Sequence, residues 1–212
     1  MEFLSVANER FITTQVTKLL NARTASKDKD VIAAVKGLIE TELAAQLPDR
    51  PETEQIIRQL LEVEDRTHAD LFLHALKAYV IPFTYPQAEV VKKLFKKEKR
   101  LRLPKLDAYD WKSVTYLSWK DSGTHRQYFV TRQDEDWKTL QGVTQSDTVK
   151  GICRICRHHT LVNLFTATVK GKAEDAFTSY SHYICEDPAV CNANLDNEEQ
   201  IFSFIEENLK RN

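Results

Sequence analysis

The chain has 212 residues, which is long enough to bury one large core or two smaller ones. Hydrophobic residues make up 42% of it and charged residues 29%, as in globular proteins, and no apolar run approaches the length of a membrane span. A net charge of -1 argues against nucleic-acid binding through total charge alone. Residues 1–10 lack the basic and apolar regions of a signal peptide, so we expect a cytoplasmic protein with no membrane partner.

The first 80 residues are predicted to be helical, because apolar residues recur at steps of three and four. Pro51 suits the first turn of a third helix, and Thr67 with Asp70 has the spacing of a capping box at the start of a fourth. The apolar positions of the four segments are Ile12, Val16 and Leu19; Ile32, Val35, Ile39, Leu43 and Leu47; Ile56, Leu60 and Val63; and Ala69, Phe72, Leu76 and Val80. Short connections between such segments predict an antiparallel four-helix bundle, which we assign to residues 1–80.

Two prolines in residues 81–86 predict a domain boundary, so the second domain is expected to span 81–212. A helix is predicted from Pro86 to a point before Pro104. Residues 92–105, called here the basic segment, carry one acid, Glu98, and eight bases: Lys92, Lys93, Lys96, Lys97, Lys99, Arg100, Arg102 and Lys105. The basic segment is either a solvated helix face or a patch that binds RNA or an acidic protein surface.

Five segments rich in β-branched and aromatic residues then predict strands. They are residues 113–119, 127–132, 137–143, 161–169 and 177–184. The last two are expected to form a hairpin whose turn runs through Lys170-Gly171-Lys172 and the acidic residues after it. Trp111, Trp119 and Trp137 lie in or beside strands and are expected to pack the core. A final helix is predicted near Asp196 and Glu199, which have capping-box spacing.

All four cysteines of the chain fall into two pairs, Cys153 with Cys156 and Cys185 with Cys191. A separation of two residues lets a tight turn direct both sulfurs of the first pair at one tetrahedral ion, and the second pair can complete its coordination. This pattern predicts one structural zinc ion per chain. Four thiolates leave no position for water or substrate, so the metal is expected to hold the fold without doing chemistry.

Other interpretations of the cysteines have less support in the sequence than a zinc site. Disulfides need an oxidising compartment, and a redox C-x-x-C motif leaves the second pair without a role. A ligand set of three cysteines and one histidine stays open, with His158, His159 and His182 near enough in sequence. A turn with the first pair, a hairpin, and a second pair leading into a helix is the order of elements in a treble-clef zinc finger. We therefore predict an α+β protein, with a helical bundle followed by an α/β treble-clef domain.

Two aromatic residues near the cysteines are candidates for partner contacts. Ile201, Phe202, Ile205 and Leu209 form an apolar stripe on the last helix, and Phe204 lies about 110° from its centre, so we expect Phe204 to be exposed. Tyr183 precedes Cys185 by two residues and is the second candidate. Strand alternation places Tyr180 and Tyr183 on opposite faces.

Catalytic signatures are missing from the sequence. The five glycines never form a phosphate-binding arrangement, and the chain has no G-x-S-x-G, H-E-x-x-H or Rossmann motif. We therefore expect a binding protein without a small-molecule substrate, and not an enzyme.

Several runs of residues resemble the FusB-type fusidic acid resistance proteins. These runs are residues 149–156, 163–165, 183–185, 191–192 and 204–205, together with 80–83 and 94–97. The cysteine spacings agree with the family throughout, and the resemblance extends over nearly the whole chain. It implies a helical bundle joined to a zinc domain that binds the C-terminal part of translation elongation factor G. It also implies that binding promotes release of the factor from the ribosome, including complexes stalled by fusidic acid, without modification of the drug.

The resemblance also implies where the partner binds. The family contact positions fall on Ile152, Tyr180, Tyr183 and Phe204, although the family has phenylalanine at the position of Ile152 and lysine at that of Tyr180. We expect a monomer, with the ribosome as a further partner. The alternative function is that of an RNA- or ribosome-binding zinc protein that uses the basic segment.

Overall fold

The computed structural model describes residues 1–121, 123–170 and 176–210. The chain divides into two compact units, Met1–Pro82 and Phe83–Asn212, called here the N-terminal and C-terminal units. Among the described residues, no helix combines the length and apolar character that crossing a membrane requires.

The N-terminal unit is helical, as predicted. Its α-helices are α1 (Val6–Ala25), α2 (Lys29–Gln46), α3 (Pro51–Leu61) and α4 (Arg66–Leu76), followed by a 3₁₀ helix (Lys77–Tyr79). Helices α1 and α3 each contact both α2 and α4. Most of the periodic apolar residues of the four helices, such as Ile12, Ile39, Leu60 and Leu76, are buried together in one core, and Ile32 and Val35 pack against it half-buried.

The first residues of the helices in this unit agree with the sequence-based prediction only in part. Pro51 is the first residue of α3, as expected. The N-cap of α4 is Asp65, whose carboxylate accepts a hydrogen bond of 2.8 Å from the backbone N–H of His68. The capping box predicted for Thr67 is therefore wrong, because Thr67 already lies inside the first turn and Asp65 occupies the cap.

The C-terminal unit consists of an antiparallel sheet with helices around it. Helix α5 (Ala88–Leu94) precedes strands β1 (Leu117–Asp121), β2 (Arg126–Gln133), β3 (Asp136–Ile152), β4 (His159–Lys170) and β5 (Phe177–Cys185), and helices α6 (Pro188–Asn194) and α7 (Glu199–Leu209) follow. The strand order is β1-β2-β3-β4-β5, with every neighbouring pair antiparallel. Helix α7 packs against β2, β3 and β4. The predicted mixed α+β character is thus confirmed.

Two elements of this unit differ from the prediction. Helix α5 ends at Leu94, because the next residue, Phe95, leaves the helical conformation and buries its ring against Trp119 and Tyr128. Strand β3 extends nine residues beyond Val143, with a register irregularity between Thr144 and Thr148. The hairpin of β4 and β5 is antiparallel as expected, but its turn lies outside the described residues.

The sheet carries two apolar clusters. One contains Phe129, Phe165 and the four cysteines, and the other contains Phe95 and Trp119. Gly142 on β3 lets the ring of Phe165 lie directly against the backbone, because a Cβ atom there would come within 2.5 Å of a ring carbon. The first cluster connects the centre of the sheet to the cysteines at its end.

Candidate metal centre and partner surface

The first cysteine pair lies in a tight turn between β3 and β4. The backbone N–H of Cys153 donates to the carbonyl of His158 at 3.0 Å, and that of Arg157 donates to the carbonyl of Cys153 at 2.9 Å. Arg157 closes the turn with a φ of 61°, a left-handed conformation that is uncommon for a residue with a side chain. The turn brings the side chains of Cys153 and Cys156 into the protein interior.

The second pair comes from two different elements. Cys185 is the last residue of β5, and Cys191 lies in the middle of α6. Helix α6 begins with Pro188 and is capped by Asp187, whose carboxylate accepts from the N–H of Ala189 at 2.8 Å. The sequence predicted that the second pair leads into a helix. That helix is α6, which carries Cys191 itself, and α7 follows as a further helix.

The four sulfurs converge on one point. All lie within 4.8 Å of one another, with 3.7 Å between the Sγ atoms of Cys153 and Cys191 and 3.6 Å between those of Cys156 and Cys185. Tetrahedral zinc with Zn–S bonds of about 2.3 Å separates its sulfurs by about 3.8 Å, so the spacing fits this ion. A disulfide bond, at about 2.05 Å, does not fit. None of the four cysteines forms a disulfide bond, and all four are buried.

The four thiols shift one another's pKa values in opposite directions. Hydrogen bonds from the neighbouring sulfurs, that of Cys156 first, hold the pKa of Cys153 well below the usual thiol range. The pKa values of Cys185 and Cys191 are raised, first by their hydrogen bonds with Cys153. Four adjacent sulfurs therefore do not all ionise by themselves, whereas a divalent ion binds every one as a thiolate.

The three nearby histidines lie outside the sulfur cluster. In the described ranges, the group of residues that can share a metal ion at this point contains cysteines alone. The Nδ1 atom of His158 lies 2.8 Å from the carbonyl oxygen of Cys156, His159 is exposed on β4, and the ring of His182 packs 5.8 Å from that of Phe204. The geometry thus favours four cysteine ligands over three cysteines and a histidine.

Asn192, next to Cys191, positions α6. It was not among the site residues predicted from the sequence. Its Oδ1 accepts from the backbone N–H groups of Thr115 at 2.8 Å and Tyr116 at 3.3 Å, and its Nδ2 donates to the carbonyl of Tyr116 at 3.0 Å. Asn192 is only 7% exposed. These partners lie far away along the chain, so no local motif could have identified the residue.

Replacement of Asn192 by alanine is expected to lower the free energy of unfolding of the C-terminal unit by about 2 to 4 kcal/mol, because backbone polar groups of Thr115 and Tyr116 lose their partners. Urea unfolding followed by tryptophan fluorescence measures the change. Asn194→Ala, in the same helix and half-buried, is the matched control and should change little. An equal shift of the unfolding midpoint in both variants would contradict the role assigned to Asn192.

Two of the predicted contact residues lie together beside the cysteines. Ile152 is 65% exposed and Tyr183 is 49% exposed. Both line an open depression of about 490 Å³, with Arg154 and Arg157 also in its wall. The backbone N–H of Arg154 donates to the carbonyl of Tyr183 at 2.8 Å, which fastens the cysteine turn to β5. Ile152 and Tyr183 therefore form part of one surface next to the cysteine cluster.

Tyr180 lies on the opposite face of β5 from Tyr183, as strand alternation predicted. Burial alternates along the strand, with Tyr180 half-buried and Tyr183 exposed. The hydroxyl of Tyr180 donates to the carbonyl of Lys210 at 3.0 Å, after the end of α7. The structure therefore does not place Tyr180 beside Ile152 and Tyr183.

The expected exposure of Phe204 is wrong. Its side chain is 0% exposed, and its ring packs against those of Phe129 at 5.7 Å and Phe165 at 5.9 Å. The buried face of α7 consists of Ile201, Phe204, Ile205 and Asn208. Asn208 is polar but fully buried, and its Nδ2 donates to the carbonyl of Phe204 at 2.8 Å. Because Asn208 faces the core, the buried face of α7 differs from the stripe that the apolar residues alone predict.

The chain thus belongs to a class of two-part proteins in which a helical unit precedes an antiparallel sheet with four clustered cysteines at its end. Two family models match the chain: residues 3–84 match "Elongation factor G-binding protein, N-terminal", and residues 90–210 match "FBP C-terminal treble-clef zinc-finger". The chain therefore belongs to the elongation factor G-binding protein family. This confirms the FusB-type resemblance of the sequence.

One solved structure has the same fold from end to end. The structure titled "Structure of the fusidic acid resistance protein FusC" aligns with 98% of this chain and 97% of its own, with a TM-score of 0.85 and 24% sequence identity. At that identity the likeness establishes the fold alone. The comparison with curated protein sequences gives no match.

Proposed function

We propose that this protein binds translation elongation factor G through the surface that contains Ile152 and Tyr183. The observation that carries this proposal is the exposure of these two side chains on one depression beside the cysteine cluster, in a chain of the elongation factor G-binding family. A tyrosine ring held by a rigid framework is a typical anchor of protein interfaces, and the exposed side chain of Ile152 adds apolar area beside it. The site of action is the cytoplasm, where translation takes place.

The cysteines hold a structural zinc ion in this proposal, in a treble-clef arrangement. Cys153, Cys156, Cys185 and Cys191 are its ligands, so the ion joins the turn after β3, the end of β5 and helix α6. A complete set of four thiolates keeps water and substrate away from the metal. The proposed function is therefore binding and not catalysis, and the helical bundle of residues 1–80 and the zinc domain of 81–212 act as a monomer.

The depression carries charged side chains beside its two apolar anchors. Arg154 pairs with Glu207 on α7, with 2.6 Å between the closest nitrogen and oxygen, so its cation is already neutralised in part. Arg157 is exposed and takes no part in an ion pair among the described residues. An acidic group on the elongation factor opposite Arg157 would guide the encounter.

Release of the factor from the ribosome follows if the protein binds the free or rearranged factor more tightly than the factor that is stalled on the ribosome. We propose this form of target protection for complexes stalled by fusidic acid, by extension from the fusidic acid resistance protein FusC, whose fold this chain shares. The C-terminal domains of the factor are the proposed contact. Phe204 supports this surface from the core through its contact with His182, whereas Tyr180 faces the other side of β5 and is not part of the surface.

Tyr183→Ala is expected to weaken binding to elongation factor G by about tenfold or more, because an interface aromatic anchor contributes about 2 kcal/mol. Isothermal titration calorimetry of the zinc-loaded protein with the purified factor measures the affinity. Ile152→Ala should act in the same direction. Neither substitution should change the unfolding midpoint, since both side chains are exposed.

Phe177→Ala is the matched control for Tyr183→Ala. Phe177 lies on the same face of β5, six residues away, and is 69% exposed. Normal affinity of the Phe177 variant together with weak binding by the Tyr183 variant supports the proposed surface, and equal affinities would place the interface elsewhere. The same two variants, added to sedimented ribosomes that hold the factor and fusidic acid, test whether release depends on this surface.

A further inference from the structure

The basic segment presents its cations to solvent. All eight of its lysine and arginine side chains are exposed, and within the described part of the chain none of them takes part in an ion pair. Glu98, its one acid, is half-buried and bonded to Arg126 and to Gln141, so it neutralises none of the exposed cations. Solubility alone does not explain such a concentration of unpaired charge.

The basic segment is fixed to the sheet at both ends. Near its start, the ring of Phe95 lies 5.9 Å from that of Trp119 and 5.2 Å from that of Tyr128. Near its end, the indole Nε1 of Trp119 donates to the carbonyl of Arg102 at 2.9 Å. The charges therefore extend from an ordered backbone and not from a flexible tail.

A stack of three aromatic rings joins the residues that flank the basic segment. Trp111 stacks on Tyr85, with ring centres 4.6 Å apart, and on Tyr109, with centres 5.1 Å apart. Tyr85 precedes the basic segment and the other two follow it, so the stack closes the whole segment into a loop. Tyr85 ends the stack and is 42% exposed. A ring surface thus remains accessible next to the cations.

We propose that the basic segment and the Tyr85 end of this stack bind single-stranded nucleic acid. Lysine and arginine groups attract the phosphates and release their counterions, and an exposed ring lets an unpaired base stack on it without reading its identity. An acidic protein surface would use the charges but leave the exposed ring without a function, which favours nucleic acid. This activity goes beyond factor binding and uses other residues than Ile152 and Tyr183.

Fluorescence anisotropy of a labelled oligouridine of about 12 nucleotides tests this proposal with the full-length, zinc-loaded protein. Each phosphate contact contributes about 0.7 to the slope of log affinity against log salt, so replacing Lys96, Lys97 and Lys99 by alanine should reduce that slope by about 2. Tyr85→Ala should weaken binding by about tenfold with an unchanged slope, because stacking is not ionic. Tyr85→Phe keeps the ring and should bind normally.

The control for the lysine variant removes the same charge from the N-terminal unit through Lys27, Lys29 and Lys36, and should leave the slope unchanged. A labelled oligothymidine distinguishes RNA from DNA, and binding of either one supports the proposal. No binding of the oligonucleotide at low salt would overturn the proposal, and so would equal changes of the salt slope in the two triple variants. It would also be overturned if polyglutamate displaced the oligonucleotide and Tyr85→Ala bound the oligonucleotide normally. The last result would assign the surface to an acidic protein.

Discussion

Replacement of Cys153 by serine is expected to release the zinc ion and unfold the C-terminal unit. A structural zinc site contributes about 10 to 16 kcal/mol of apparent binding free energy, which exceeds the stability of an ordinary domain. Serine is a poor zinc ligand, and Cys153 contacts the rest of the site closely, since its sulfur also accepts the N–H of Cys185 at 3.3 Å. The N-terminal unit has its own apolar core and should stay folded.

The distribution of tryptophan makes this result easy to measure. The chain has three tryptophans, Trp111, Trp119 and Trp137, and all lie in the C-terminal unit. Their emission should shift to that of solvent-exposed indole in the variant, while the helical circular dichroism signal of α1 to α4 persists. Metal analysis should give one zinc per chain in the natural protein and a small fraction of that in the variant. Chelation of the natural protein should reproduce both changes.

His159→Ala is the control for the cysteine substitution, because His159 is exposed and adjacent in sequence to the cysteine turn. It should keep its zinc and its fluorescence. Retention of a full zinc complement by Cys153→Ser under a chelator challenge would contradict the four-cysteine site, and loss of zinc from His159→Ala would point to a histidine ligand.

Phe204→Ala is expected to lower the free energy of unfolding of the C-terminal unit by about 3 to 5 kcal/mol, the usual cost of removing a fully buried phenylalanine. The cavity would open between Phe129, Phe165 and α7, where close packing of three rings leaves little room for collapse. Urea unfolding monitored by tryptophan emission gives the magnitude. A midpoint equal to that of the natural protein would show that Phe204 is not in the core.

Two further variants separate a supporting role of Phe204 from direct contact with the partner. Phe202→Ala, on the half-buried neighbour, should destabilise the unit much less. Phe204→Leu keeps most of the buried volume, so the folded variant should bind elongation factor G with nearly natural affinity. Loss of affinity without loss of stability in Phe204→Leu would instead make Phe204 a contact residue.

The fold could be predicted from sequence wherever the signal was local. The periodic apolar residues of the N-terminal helices and the spacing of the cysteines each depend on a few neighbouring positions, and the structure agrees with both. The second half of β3 could not be predicted, because residues 145–150 are all exposed and show no alternation of polar and apolar side chains. Pairing with β4 across the cysteine turn holds Thr148 to Ile152 in a strand, and that pairing leaves no periodic pattern in the sequence of β3.

Predictions about the candidate site failed where a buried residue is polar. The predicted stripe of α7 contains apolar residues alone and so omits Asn208, which lies in the core and bonds to the backbone of its own helix. That error moved the apolar stripe and made Phe204 look exposed. Asn192 was missed for a related reason, since its value lies in three hydrogen bonds to a distant segment and not in its hydrophobicity.

The hydrogen bond from Arg154 to Tyr183 affects how long a complex lasts. Together with the proposed zinc ion, it would fix Ile152 and Tyr183 before any partner arrives, so that association needs no folding step and proceeds at a rate set by diffusion and orientation. Changes to either side chain then act on the dissociation rate. Under the proposed function, the cysteine cluster thus influences the residence time of elongation factor G by holding the contact residues in place.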